Sequence, residues 1–292
     1  MTWFFLALLS AFLSAFAAIT QKKVLFKVGA LEFSFLLSVV NLLFSIPFFF
    51  FIDYSTVNYT NLSILFIKSV IGVGAFYCVM VSLKNLEISN ALPLLALTPG
   101  CVAVFAFILL GESLKTVEII GLLFLIAGTF ILESKNFKEL FIPFSIFIKS
   151  QYHRYIIFAL LLFTASSIMD KFLLIKLNLS PISLTAFQHI YFALIFSIIY
   201  LVFRNKEQSS SPEIKKNQLG WIALISIITI GYRYTQIVAV SLASVALVIA
   251  IKRTSVFWAT VIGGKLFNDK DLLKRSIAAL LILAGAILIL RE

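Results

Sequence analysis

TWFFLALLSAFLSAFAAITQ, residues 2–21, runs for twenty residues without an Asp, Glu, Lys or Arg. A helix of that length rises about 30 Å, the thickness of a bilayer's hydrocarbon core. Residues 33–52, 88–111 and 177–203 are equally free of charge. The runs are continuous and lack period-2 alternation, so they read as helices and not as barrel strands. Admitting segments whose charges sit near an end or inside a protein-lined cavity gives ten spans: 2–21, 31–52, 62–83, 86–110, 116–133, 154–174, 180–203, 218–240, 243–264 and 273–290. The expected fold is all-α integral membrane.

Composition agrees. Of 292 residues, 61% are hydrophobic and only 13% charged, about half the charged share that wets a soluble domain. A cleaved secretory signal has one short apolar block before a polar chain; here apolar blocks continue to residue 290. The net charge of +11 does not point to nucleic acid, because no long stretch is polar enough to form a solvated basic face. Cys78 and Cys101 lie in apolar segments and are too few for a disulfide framework. His153 and His189 are too few for a metal cluster, and no metal or cofactor is expected.

The polar joins are 134–153 and 204–217, the second (RNKEQSSSPEIKKN) a surface loop by composition. The first leaves two near-equal parts, 1–133 and 154–292, and these repeat one another. At an offset of 157, Gly74 meets Gly231, Tyr77 meets Tyr234 and Val81 meets Val238. Without a gap, the same offset pairs Leu109 with Leu266, Ile120 with Ile277, Leu123 with Leu280, and Ala127–Gly128 with Ala284–Gly285. An offset of 149 pairs Lys22 with Lys171 and Lys27 with Lys176. Five spans is an odd number, so the second copy enters the membrane from the opposite side. Two inverted five-helix repeats are the plan of secondary transporters, whose sites lie near the midplane between the repeats.

Three cations stand in the wrong solvent. Lys252 and Arg253 fall near the middle of span nine, and Arg233 lies a few residues past the middle of span eight. Counted from the tight turn near residue 242, all three are about 13–15 Å from one face. Each costs about 2.5–3.5 kcal/mol at a helix centre, so lipid exposure of three costs on the order of 8–10 kcal/mol. That rivals the stability of a typical fold, and requires a cavity or partners. Asp170 is the one acid placed at comparable depth, with Lys171 beside it. The excess favours an anion, a carboxylate or a phosphate, held by the Arg fork and the Lys point charge. The structural alternative pairs Arg233 with Asp170 and lets the other two snorkel or bond backbone carbonyls.

Tyr232, Tyr234 and Gln236 surround Arg233 and either line the same cavity or pack between helices. Gln188–His189 reads as a proton relay or as a neutral His satisfied by a neighbour. Lys22 and Lys23 follow an uncharged run and are placed to reach the headgroups. Pro93 and Pro99 remove backbone donors from span four; they are candidate gating positions or simply shape packing.

Gly111–Glu112, closing the fourth span before a helix with Gly121 and Ala127–Gly128, resembles the signature of the drug/metabolite transporter superfamily, EamA-like branch. Asn268–Asp269, followed by Ala284–Gly285, is a degraded second copy. The local reading of Glu112 is an acid at the start of helix five, favoured by the helix dipole. Lys252–Arg253, within SVALVIAIKRTSVFW, resembles the intramembrane pair of sugar-phosphate and nucleotide-sugar transporters, a pair that grips the substrate phosphate in the sugar-phosphate group, although the resemblance here does not by itself imply a phosphate substrate. Span four departs from that group, with Leu95 and Ala96 at the equivalent positions and no cation.

These readings converge on a secondary transporter of a small anionic metabolite, working by alternating access with proton or counter-substrate coupling. The alternatives are export of amino acids or amphipathic drugs, and an accessory or structural subunit. A membrane enzyme acting on lipid needs an interfacial cluster of His, Asp, Ser or Cys; the loops offer only His153 without a nearby acid, so no catalytic residue is expected. The partners are the bilayer and a small solute, with no nucleic acid, in a prokaryotic inner (plasma) membrane. Loops 134–154, 204–217 and 265–275 carry four Lys or Arg each, against Lys115, Lys176 and Arg291 on the opposite face. The positive-inside rule therefore puts the loops in the cytoplasm and the termini outside. The resemblance implies the reverse.

Overall fold

The computed structural model describes residues 1–85, 93–133, 151–207, 216–255 and 272–290. Among these the chain forms ten α-helices: α1 (Thr2–Leu25), α2 (Ala30–Ser45), α3 (Tyr59–Asn85), α4 (Thr98–Leu110), α5 (Thr116–Glu133), α6 (Gln151–Ile175), α7 (Pro181–Glu207), α8 (Lys216–Leu242), α9 (Val245–Arg253) and α10 (Leu272–Leu290). Six helical stretches among them are long and apolar enough to cross a membrane, and Leu95–Leu110, Thr116–Ile131 and Leu280–Ile289 are shorter apolar stretches. Large apolar side chains face outward, as at Phe5, Phe107 and Leu201. The interior mixes large apolar side chains such as Phe33 and Phe196 with small and polar ones, whose hydroxyls return to their own helix: Ser34 bonds the Ala30 carbonyl at 2.7 Å and Thr164 the Leu160 carbonyl at 2.9 Å. That arrangement suits a solvent of hydrocarbon. The loop 134–150, the start of span four, the end of span nine and Asn268–Asp269 lie outside the described residues.

Two spans depart from continuous helix. In the second, the α-helix stops at Ser45 and Ile46–Phe51 continues as a 3₁₀ turn. Pro47 is the cause, since it has no N–H for the helical ladder and its ring crowds the preceding turn. In the fourth, Pro93–Leu97 is a 3₁₀ turn and the α-helix begins at Thr98. Pro99 therefore opens a helix instead of kinking one, because a first-turn residue needs no N–H partner.

The halves pack by exchange. α5 lies along α10, α2 along α7 and α4 against α9, while α1 packs on α8 as α3 packs on α6. α2 meets α8 as α3 meets α7. With α6–α10 taken as copies of α1–α5, every one of these contacts maps onto itself or onto another, which is the pattern of a two-fold interface. Side chains repeat it. The offset of 157 matches Gly121 to Ala278 and Gly128 to Gly285. A Cβ on Gly121 would lie 2.9 Å from the Gly285 carbonyl, and one on Gly128 would lie 2.9 Å from the Ala278 carbonyl. Each small residue faces the partner's other copy. In the same way Lys22 Nζ donates to the Leu83 carbonyl and Lys171 Nζ to the Val240 carbonyl, pairs related by the offsets 149 and 157. Lys22 thus ends on a backbone oxygen, which corrects the headgroup reading. The two halves are inverted repeats, and the core between them is where the buried charges sit.

Candidate functional site between the halves

Lys68 lies nine residues into α3, Arg233 nine before the end of α8, and Lys252 seven into α9. All three helix ends belong to the face that carries the α8–α9 turn, here called the terminal face because α1 begins and α10 ends there. The three cations are therefore about 10–14 Å deep on three different helices. α6 and α7 bring Asp170 and Gln188 to the same level.

The charges form one connected network. Lys68 Nζ is 2.7 Å from Asp170 Oδ1, with the two side chains 0% and 2% exposed. Arg233 reaches the other carboxylate oxygen at 3.5 Å. Gln188 Oε1 accepts from Lys68 Nζ at 2.6 Å and from Arg233 at 3.0 Å. Gln236 Oε1 accepts from Arg233 at 3.2 Å and from Lys252 Nζ. Lys252 also sits 4.8 Å above the Tyr232 ring, a cation–π contact that a desolvated ammonium favours. Arg253 donates to Thr98 Oγ1 at 3.0 Å, reaching from α9 to the first turn of α4.

Local structure explains the placement. α9 stops at Arg253, Thr254 is a turn, and its hydroxyl bonds the Ile251 carbonyl at 2.7 Å. Lys252 and Arg253 thus lie in the last turn before that interruption, and Ser255 is helical again.

Of the residues read from the sequence, Arg233, Asp170, Lys252, Tyr232 and Gln236 come together, and Arg253 borders them. Tyr234 points elsewhere and packs on Phe48, ring centroids 5.4 Å apart. Lys171 lies toward the terminal face, where it meets Glu112 at 3.4 Å and the Val240 and Ala243 carbonyls at 2.9 and 2.8 Å. Glu112 does not serve α5, which corrects its local reading. Its Oε2 accepts from the Ser244 hydroxyl and the Val245 N–H at 3.0 and 3.1 Å, at the start of α9, while Glu118 occupies the first turn of α5. His189 is buried, and its Nε2 meets no hydrogen-bond partner among the described residues.

Sequence reasoning missed Lys68 and the bridging role of Gln188. The available signal was a Lys inside span 62–83, a charge that needs a partner once it lies beyond snorkelling reach.

Among the described residues, Lys68 and Arg233 meet the Asp170 carboxylate directly, Lys252 joins them through Gln236, and Arg253 borders the group. Because they only donate, the oxygens of Gln188 and Gln236 turn toward them, and each carboxamide's NH₂ is left to face another acceptor. The arrangement is suited to holding an anion. Among the described residues no three His, Cys, Asp or Glu form a metal-binding group. A shallow, open depression near Tyr59, Phe66 and Tyr191 lies between α3 and α7 and is lined by none of these cations.

A model of the EamA-like transporter family matches residues 1–134 and 153–291. No curated protein matches the chain. A solved crystal structure, 16% identical, superposes with a TM-score of 0.73 over 98% of this chain and 94% of its own. At that identity the likeness concerns the fold.

Proposed function

The chain belongs to the EamA-like transporter family, membrane transporters of the drug/metabolite type, and from that premise we propose that it carries a small anionic metabolite by alternating access. The supporting observation is the excess of positive charge at Lys68, Arg233 and Lys252 around Asp170, placed where the inverted repeats meet. An anion entering there replaces its water shell with an Arg fork, an ammonium and two carboxamides. The repeats supply two packings of similar energy, so rocking one half against the other exposes the site to each face in turn. Tyr232 and Gln236 orient the cations, and Arg253 ties the site to α4 through Thr98. Pro93 and Pro99, which frame the 3₁₀ turn of span four, are the positions where that packing changes.

The test is flux in proteoliposomes holding the purified chain alone. Candidate carboxylates and phosphate esters are first ranked by thermal shift, since a ligand of the folded state raises the melting point by mass action. Hydrogen bonds to charged groups contribute about 1.5–3 kcal/mol, so Arg233→Ala and Lys252→Ala should each weaken anion affinity about 10- to 100-fold. Unchanged affinity in both would overturn the anion site. Counterflow from preloaded vesicles, with and without a pH gradient, then separates exchange from proton coupling.

A further inference from the structure

Among the described residues, two ion pairs join the halves, Lys68–Asp170 and Glu112–Lys171, and they differ in how easily they part. Lys68–Asp170 is sealed, with both side chains nearly unexposed. Glu112–Lys171 lies nearer the terminal face, 3.4 Å apart and 13–16% exposed. The second pair is the more accessible of the two and lies nearer the membrane face, so its charges are the less costly to separate. Glu112 belongs to the first half, in the α4–α5 turn; Lys171, Ser244 and Val245 all belong to the second. Among the described residues, the polar contacts of the Glu112 carboxylate therefore cross between the halves.

Lys171 does not depend on Glu112. It also holds the Val240 and Ala243 carbonyls at the end of α8, and its counterpart Lys22 makes the same kind of carbonyl bond to Leu83. When Glu112 leaves, Lys171 keeps two acceptors. Glu112 in turn holds α9 by its first turn, and residues Val245–Ile251 of that nine-residue helix are all buried. A short, fully packed helix moves as a unit, so its anchored end sets where Lys252 and Arg253 lie, about 10–12 Å farther along.

We infer that the Glu112–Lys171 pair is a latch that closes the terminal face over the anion site, and that Glu112 is a positioning residue for Lys252 and Arg253, acting through α9. The latch rests on the transport reading for its purpose, but its existence is tested without any solute. Spin labels at Thr116→Cys and Lys176→Cys, in a Cys78→Ala, Cys101→Ala background, report the separation of the halves at this face in liposomes. Glu112→Ala should raise the long-distance population about tenfold, the effect of removing about 1.4 kcal/mol of latch. Lys171→Met should do nearly as much. Glu112→Gln keeps both acceptor bonds to α9 but loses the charge, so it should loosen the face while retaining anion affinity, whereas Glu112→Ala loses affinity as well.

Distance distributions unchanged in Glu112→Gln and Lys171→Met would overturn the latch, even if Glu112→Ala did not fold. Equal affinities in Glu112→Ala and Glu112→Gln would overturn the positioning role. If the variants open the face but the parent moves no solute, the transport reading falls and the latch stands.

Discussion

Lys68 shows what a single buried charge demands. With no exposed surface of its own, it is held by Asp170 at 2.7 Å and Gln188 at 2.6 Å. Removing one partner of such a pair strands the other in low dielectric, at a cost of about 3–5 kcal/mol. Asp170→Asn should therefore lower the melting temperature sharply, and Lys68→Met should do the same. The double variant Lys68→Met, Asp170→Asn should regain much of the loss, because neither charge is left alone. Additive losses in the double variant would mean that the pair is not coupled. The sequence made Arg233, Lys252 and Asp170 legible because hydrocarbon makes any charge far from a helix end conspicuous. It did not expose Lys68, which looks like an ordinary Lys near one end of an apolar span until a facing helix presents a carboxylate. Lys171 misled for the converse reason: adjacency to Asp170 in sequence places it about 100° around the helix, where it meets Glu112 instead.

At the scale of elements, apolar length located the helices, and prolines decided where they became irregular. Where two helices touch was less visible, because close approach depends on residues that contribute no side chain. α5 and α10 meet through Gly121, Gly128 and Gly285, and a Cβ on Gly285 would stand 2.6 Å from the Gly121 carbonyl and 2.9 Å from the Leu125 nitrogen. Backbone atoms cannot step aside as a side chain can, so Gly285→Ala should force the helices apart and cost about 1–3 kcal/mol. Gly220, in α8, has nothing within 4 Å of its would-be Cβ. There the same change should be neutral or stabilise by up to about 1 kcal/mol, since Ala loses less backbone entropy in a helix. Thermal unfolding in detergent reads both. A Gly285→Ala protein as stable as the parent would mean the two helices are not packed backbone to backbone. Gly111 differs again: it ends α4 at φ 69° with open space around it, so Gly111→Ala should cost about 1 kcal/mol through conformation alone.

For the whole molecule, the offsets of 157 and 149 carried more information than any motif, because they identified which helices are copies of one another, and the contacts between the halves follow that correspondence. The one feature on which sequence and resemblance disagree is which face meets the cytoplasm. Twelve Lys or Arg in three loops confront Lys115, Lys176 and Arg291 on the other side. The bias is carried by loops short enough for the positive-inside rule to act on, and moving those cations outward would work against the membrane potential by about 2.3 kcal/mol per charge per 100 mV. On physical grounds the terminal face should therefore lie outside. A fluorescent reporter fused after Glu292 should stay dark, and a phosphatase that folds only outside should be active there; a bright, phosphatase-negative fusion would reverse the assignment. With this orientation Glu112 and Lys171 face the exterior and the network of Lys68, Arg233 and Lys252 lies closer to the outside. An impermeant thiol reagent added to intact cells should then label Lys176→Cys, and label Thr116→Cys more completely once Glu112→Gln has loosened the face.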